Sequence, residues 1–175
     1  MSSKLAAQAL TAELFSPYGE VIEVAGTKGS DMNDGRAQRY LQNVRLRGHP
    51  THPPELYLSE VSASRGPISL DYLERHPRST QAFLPMRAQR YLVCVCLSDA
   101  RGAPRTDTLR AFFATAPQGV NYAMGTWHYP IVAIDAPALF SVLMWSEDGA
   151  GDFAGNCDVF KLPDPRSVEW PDSAN

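Results

Sequence analysis

Residues 91–97 read YLVCVCL. The run is too short for a confident helix, and its β-branched and aromatic side chains favour an extended chain, so it predicts a buried strand. Alternate side chains of a strand share a face, which points Cys94 and Cys96 the same way. Such neighbours make a poor disulfide, there is no Cys-x-x-Cys spacing, and Cys157 leaves an odd count. Buried, reduced thiols are the plain expectation, and with them a reducing, cytoplasmic compartment.

Working outward, apolar runs at 109–115, 131–135 and 139–145 read as further strands, and 158–161 as a last short one. Before them, 20–24 and 56–61 alternate like strands, and Phe83-Leu84 forms a strand-like body that Pro85 terminates. A short helix is expected from Thr11, as N-cap, to Phe15, with Ser16-Pro17 stopping it. Fourteen prolines and twelve glycines would punish long helices but suit tight β connections. Many short strands at even spacing predict an all-β sandwich or closed barrel.

No repeat, low-complexity tract or Gly/Ser linker divides the chain, so residues 1–175 read as a single domain. A formal charge of −3 argues against a nucleic-acid partner, which needs a concentrated basic face. Lysine is confined to Lys4, Lys28 and Lys161 and the arginines are scattered, which argues against a polybasic membrane anchor. No apolar run is long enough to span a bilayer, and Gln8, Thr11 and Glu13 interrupt what a secretory leader would need to be apolar.

Two segments carry chemistry. In LERHPRSTQAFLPM, residues 73–86, Glu74 and His76 lie two apart, so an extended backbone projects both to one side. In PQGVNYAMGTWHYP, residues 117–130, turn residues lead into Trp127, His128 and Tyr129. Each has a plain structural reading: His128 as a hydrogen-bonded core residue, and Glu74 paired at the surface with Arg75 or Arg78. Arg110 sits within TLRAFF, where a charge must be paired, snorkelled or aimed into a polar cavity.

The spacing resembles the cupin pattern. Gly125-Thr-Trp-His128 fits its G-x-x-H motif, Glu74 and His76 stand where a His-x-His pair would, and Gln81 stands near the usual glutamate. Read whole, LERHPRSTQAFLPM, TLRAFFATAPQGVNYAMGTWHYP and GNCDVFKLP resemble the ureidoglycolate lyase family of allantoin degradation. ELFSPYGEVIEV and MNDGRAQRY are similar to it too, so the resemblance spans about residues 13–163 and leaves a tail from Asp164. It implies a cupin-type double-stranded β-helix, a jelly-roll barrel with short peripheral helices, forming a homodimer. It implies cleavage of ureidoglycolate to glyoxylate and urea, with Ni(2+) or another divalent metal and no organic cofactor. With one imidazole missing from the cupin set and an amide in place of a carboxylate, the metal is expected to be weakly held, by His76, His128 and Glu74.

Such a cleavage takes a proton from a hydroxyl, gives one to a departing nitrogen and holds a carboxylate. Histidines suit the proton steps and arginine forks the carboxylate. His76 and His128, with Glu74 orienting one of them, are therefore the candidate catalytic residues. Arg39 and Arg110 are candidate clamps, and Gln81 and Asn33 candidate ligands of the ureido end, although Asn33 in its Asn-Asp-Gly setting is also a good turn residue. An amidohydrolase releasing ammonia, and a non-catalytic module binding a small acid, stay open as alternatives.

Overall fold

The computed structural model describes residues 4–145 and 155–172. In chain order the elements are β1 (Lys4–Ala6), β2 (Gln8–Ala9), α1 (Ala12–Phe15), β3 (Gly19–Ile22), β4 (Gly29–Met32), β5 (Ala37–Tyr40), β6 (Pro54–Val61), β7 (Ala63–Ser64) and β8 (Ile68–Arg75). They continue as β9 (Gln81–Arg87), β10 (Arg90–Cys96), β11 (Arg110–Thr115), β12 (Gly119–Tyr122), β13 (Trp127–His128), β14 (Val132–Ile134), β15 (Ala138–Trp145) and β16 (Asp158–Glu169). A 3₁₀ turn covers Thr106–Thr108. No helix among the described residues is long and apolar enough to cross a membrane.

The apolar run that reads as a strand is β10, and it organises the barrel. It pairs antiparallel with β11, while β9 pairs with β12 and β8 with β13. These nested pairs form one long double-stranded ribbon. The ribbon coils, so that β15 lies between β9 and β6, β14 lies against β10, and β16 lies against β8. The result is a nine-stranded sheet facing a five-stranded one ordered β3-β12-β9-β15-β6. The chain crosses between the sheets at almost every turn, giving the all-β, cupin-type jelly roll that the sequence leads one to expect.

Alternation along β10 splits the core in two. Tyr91, Val93 and Val95 pack inside the barrel with Phe112, Tyr122, Phe140 and Val142. Leu92, Cys94 and Cys96 pack on the opposite face with Leu70, Leu73 and Trp127. Each large apolar side chain buried this way contributes about 1.5–3 kcal/mol relative to exposure. Cys94 and Cys96 are buried free thiols, their ionisation pushed up to about 12 by burial.

Helix α1 forms as expected: Thr11 Oγ1 accepts from Leu14 N at 3.2 Å, and Phe15 is fully buried. One proline reading and one strand end need correction. Pro85 does not end its strand, because β9 carries it through a register shift opposite Leu139/Phe140. The last strand likewise runs well past Lys161, to Glu169, and Pro163 and Pro165 fall in the break of its ladder between Lys161 and Arg166. A residue without an N–H is tolerated where no ladder bond is made. Residues 164–169 are therefore sheet rather than tail: Arg166–Val168 pair with β8, and Ser167–Glu169 with β1.

Strand β3 is seated by Gly19, whose φ is +152° and which pairs with Tyr122. A Cβ there would stand 1.9 Å from the Asn121 carbonyl oxygen, whereas one at Gly26, φ +72°, meets nothing within 4 Å. Gly19→Ala is therefore expected to lower the urea midpoint well beyond Gly26→Ala, for which only the roughly 1–2 kcal/mol of left-handed strain applies. Equal midpoints for the two variants would contradict the β3–β12 contact.

Candidate active site

The ribbon brings the two chemistry-bearing segments together at one register position. His128 on β13 lies directly across from Glu74 on β8. His76 follows two residues after Glu74, and Gly125, with φ +75°, ties the segments by donating its N–H to the His76 carbonyl at 2.9 Å. His76 and His128 are 4% and 2% exposed, with ring centroids 5.3 Å apart. Glu74 Oε1 stands 3.5 Å from His128 Nε2. Gln81, at the start of β9, is 5% exposed and faces the same cavity of about 280 Å³, with Tyr57, Ser59 and Cys157 in its wall.

Both histidines are held by backbone carbonyls. His76 Nδ1 lies 2.7 Å from the Asn156 oxygen and His128 Nδ1 lies 2.9 Å from the Thr126 oxygen. A carbonyl can only accept, so each Nδ1 carries a proton and each Nε2 is the working atom. Asn156 is itself 1% exposed and braces the loop between β8 and β9. Its Oδ1 accepts from Arg78 N, and its Nδ2 donates to Ser79 Oγ and the Trp145 oxygen. His128 is further fixed by a parallel stack on Tyr122, centroids 4.3 Å apart at 11°. Sequence reasoning did not single out Asn156 or Tyr122, although both lie inside the quoted segments.

Burial and the neighbouring His128 push the ionisation of His76 down to about 4, outweighing its contacts with Asn156, Glu74 and Gln81. It is therefore a neutral imidazole over the working range. Burial pulls the Glu74 carboxyl upward, but its contact with His128 and the proximity of His76 prevail, so it is held below its ordinary value. Glu74 does not pair with its neighbouring arginines. Arg75 instead bonds Asp158 at 2.8 Å and lies over the Trp127 ring at 4.7 Å.

Donor atoms of Glu74, His76 and His128 lie within 4.8 Å of one another. His128 Nε2 and Gln81 Oε1 are buried and make no hydrogen bond among the described residues. Two imidazole nitrogens and a carboxylate, with each Nδ1–H anchored to a carbonyl, fit a borderline divalent cation.

The other candidates are not brought here. Asn33 has φ +53° in the exposed turn between β4 and β5, and Arg39 is exposed on β5. Arg110 is exposed at the start of β11, bonded to the Leu109 oxygen at 3.0 Å, and lines a separate groove with Lys4 and Arg166. It neither pairs with a carboxylate among the described residues nor enters the cavity, because the apolar run begins one residue after it. A larger hollow of about 630 Å³ borders Arg90 and Asp135, but these charges neutralise each other in an ion pair.

The Tyr122 hydroxyl is buried and makes no hydrogen bond among the described residues, so its ring rather than its oxygen supports His128. Tyr122→Phe is expected to hold or raise the thermal midpoint, since removing an unsatisfied buried group relieves about 1–3 kcal/mol. Tyr122→Leu, which loses the stack, should lower it. A large loss in Tyr122→Phe would mean that the hydroxyl is bonded after all.

The family model described as ureidoglycolate lyase matches residues 2–169, beyond the 13–163 span of the resemblance at both ends. A ureidoglycolate lyase of Escherichia coli (strain SMS-3-5 / SECEC) is 34% identical over 161 residues, covering 92% of this chain and 96% of that protein. One of Pseudomonas savastanoi pv. phaseolicola (strain 1448A / Race 6) is 33% identical over 156 residues, covering 89% and 88%. Among solved structures, a dTDP sugar isomerase from Desulfovibrio desulfuricans G20 aligns at TM-score 0.47 and 17% identity, covering 83% of this chain and 84% of that one. A Bacillus subtilis oxalate decarboxylase aligns at 0.41 and 18%, covering 64% and 24%. The chain belongs to the ureidoglycolate lyase family.

Proposed function

We propose that this lyase cleaves ureidoglycolate into glyoxylate and urea in the cytoplasm, as a step of allantoin breakdown, inside the cavity around Glu74, His76 and His128. The observation that carries the reading is the pair of buried imidazoles whose Nδ1 atoms are both held by carbonyls, with donor atoms of the two rings and of the Glu74 carboxylate within 4.8 Å of one another.

The substrate carbon bears a carboxylate, a hydroxyl and a ureido nitrogen. Collapse to the aldehyde requires loss of the hydroxyl proton and delivery of a proton to the departing nitrogen. His76, kept neutral by burial, accepts the first. His128, across from the Glu74 carboxylate, delivers the second from Nε2 and is recharged by the proton that His76 took up. Gln81 spends its amide nitrogen on Tyr57 Oη and Met144 Sδ, both at 3.4 Å, which turns Oε1 toward the ureido N–H groups. General acid–base groups of this kind contribute about 10²–10⁴ in rate.

Ni(2+) or another divalent cation would be held by His76, His128 and Glu74, and would supply positive charge beside the hydroxyl and carboxylate. Such a donor set binds weakly and reversibly.

Purified protein given ureidoglycolate should release glyoxylate and urea in equal amounts, with no ammonia in the first turnovers. Ammonia rising in step with glyoxylate would replace this reading with the amidohydrolase. His76→Ala and His128→Ala should each lower kcat by about 10²–10⁴ while keeping the fold; near-normal kinetics in both would misplace the site.

Prolonged chelation should leave folded protein of reduced activity that a divalent metal restores. Full activity after verified metal removal would leave the histidines as acid and base alone.

A further inference from the structure

We infer that the same site also cleaves N-acyl-α-hydroxyglycines, releasing a carboxamide and glyoxylate, because the end of the cavity that receives the departing group is apolar. The inference rests on the reading above for the carboxylate, the hydroxyl and the departing nitrogen, and extends it at the far end of the ureido group.

The polarity of the cavity runs in one direction along the barrel. Glu74, His76, Gln81 and His128 gather at one end. Two residues beyond Gln81 on β9 comes Phe83, and three beyond His128 comes Ile131, both in the cavity wall with Pro130 and with Val61 at the end of β6. Alternate residues of a strand share a face, so β9 carries this wall from an amide to a phenyl ring within roughly 7 Å. The Phe83 ring lies edge-on to Tyr122 at 5.9 Å, and Tyr122 stacks on His128 at 4.3 Å, which keeps the apolar wall beside the reacting groups. Ile131, Phe83 and Val61 pack into the barrel's own apolar cluster.

The carboxylate and hydroxyl of the substrate occupy the histidine end, with Gln81 Oε1 facing the departing N–H. The remainder of the departing group then extends toward Phe83, Ile131 and Val61. A terminal ureido NH2 brings two N–H donors into that space. The Tyr57 oxygen is already engaged with Gln81 Nε2 and Met144 Sδ. Ser59 adds one hydroxyl, and no carboxylate, amide or imidazole side chain lines that end among the described residues. A methyl group has nearly the shape of NH2 and needs no acceptor, and exchanging a buried polar group for an apolar one of the same shape costs little.

That exchange turns ureidoglycolate into N-acetyl-α-hydroxyglycine and leaves the reacting atoms unchanged. The hydroxyl loses its proton and its electron pair forms the aldehyde C=O. The C–N bond breaks with its pair passing to nitrogen, which takes up a proton and departs as acetamide. His76 and His128 face the same two proton transfers in both reactions. Discrimination between the two compounds therefore reports on the far end of the cavity. A site built to hydrogen-bond the terminal N–H groups rejects the isostere by about 10⁴–10⁵, whereas an apolar wall gives no more than about 10².

The purified protein is given each compound in parallel, and glyoxylate release is measured above the spontaneous decay of each. kcat/KM for the acetyl compound should lie within about 10² of that for ureidoglycolate, with acetamide formed in equal amount, and His128→Ala should lose both activities together. Cleavage of ureidoglycolate with a larger discrimination overturns the inference and leaves the proposed function standing. An acetyl activity that survives His128→Ala overturns the shared site, and cleavage of neither compound overturns the inference together with the proposed function. Titration calorimetry with N-acetylglycine and N-carbamoylglycine, which lack the hydroxyl and cannot react, gives a readout without turnover. Their Kd values should agree within the same factor, and binding of the carbamoyl compound alone overturns the apolar end.

Discussion

Two backbone carbonyls set the chemistry of this cavity. The oxygens of Asn156 and Thr126 each hold an imidazole Nδ1, at 2.7 and 2.9 Å. Because a carbonyl offers only lone pairs, the proton on each Nδ1 is dictated by the backbone rather than by solution pH. Everything useful about His76 and His128 then happens at Nε2. Were either carbonyl displaced, the ring could flip or change tautomer, and Nε2 would no longer be the atom it presents to the cavity.

The fold explains why these carbonyls stay in place. The Thr126 oxygen lies in the short link between β12 and β13, which Gly125 fastens to His76 and Thr126 Oγ1 fastens to the Tyr18 oxygen at 2.8 Å. The Asn156 oxygen precedes β16, and its side chain is spent on Arg78, Ser79 and Trp145. Each such bond contributes about 1 kcal/mol net, but losing one strands a buried partner at about 1–3 kcal/mol. The site is thus rigid because the coiled ribbon brings three loops together at one end of the barrel, and the polar groups of those loops satisfy one another.

The sequence made the barrel legible where hydrophobic runs were uninterrupted, as at Tyr91 and the strands that follow it. It misled at Pro85 and in ending the last strand at Lys161, since a proline breaks a strand only if its N–H was needed, and the partner's register decides that. It was silent on the β4–β5 hairpin, whose exposed polar strands carry little apolar alternation. Within the site, Glu74, His76, Gln81 and His128 were legible from spacing, because extended chain puts residues two apart on one side. Asn156 was not, since 80 residues separate it from the ring it holds. Tyr122 was hidden because its stack on His128 depends on two strands in different sheets. Arg110 drew attention as a charge in an apolar run, yet it sits at the strand's exposed end.

The central claim is a statement about protons, so it is best tested by locating them. Long-range ¹H–¹⁵N correlation spectra of histidine-labelled, metal-free protein near neutral pH report which ring nitrogens are protonated. The account predicts a protonated Nδ1 on both His76 and His128, with His76 neutral and its Nε2 bare. A bare Nδ1 on either ring would contradict it, because the carbonyl it faces would then have no donor and Nε2 would no longer be the atom available to substrate or metal.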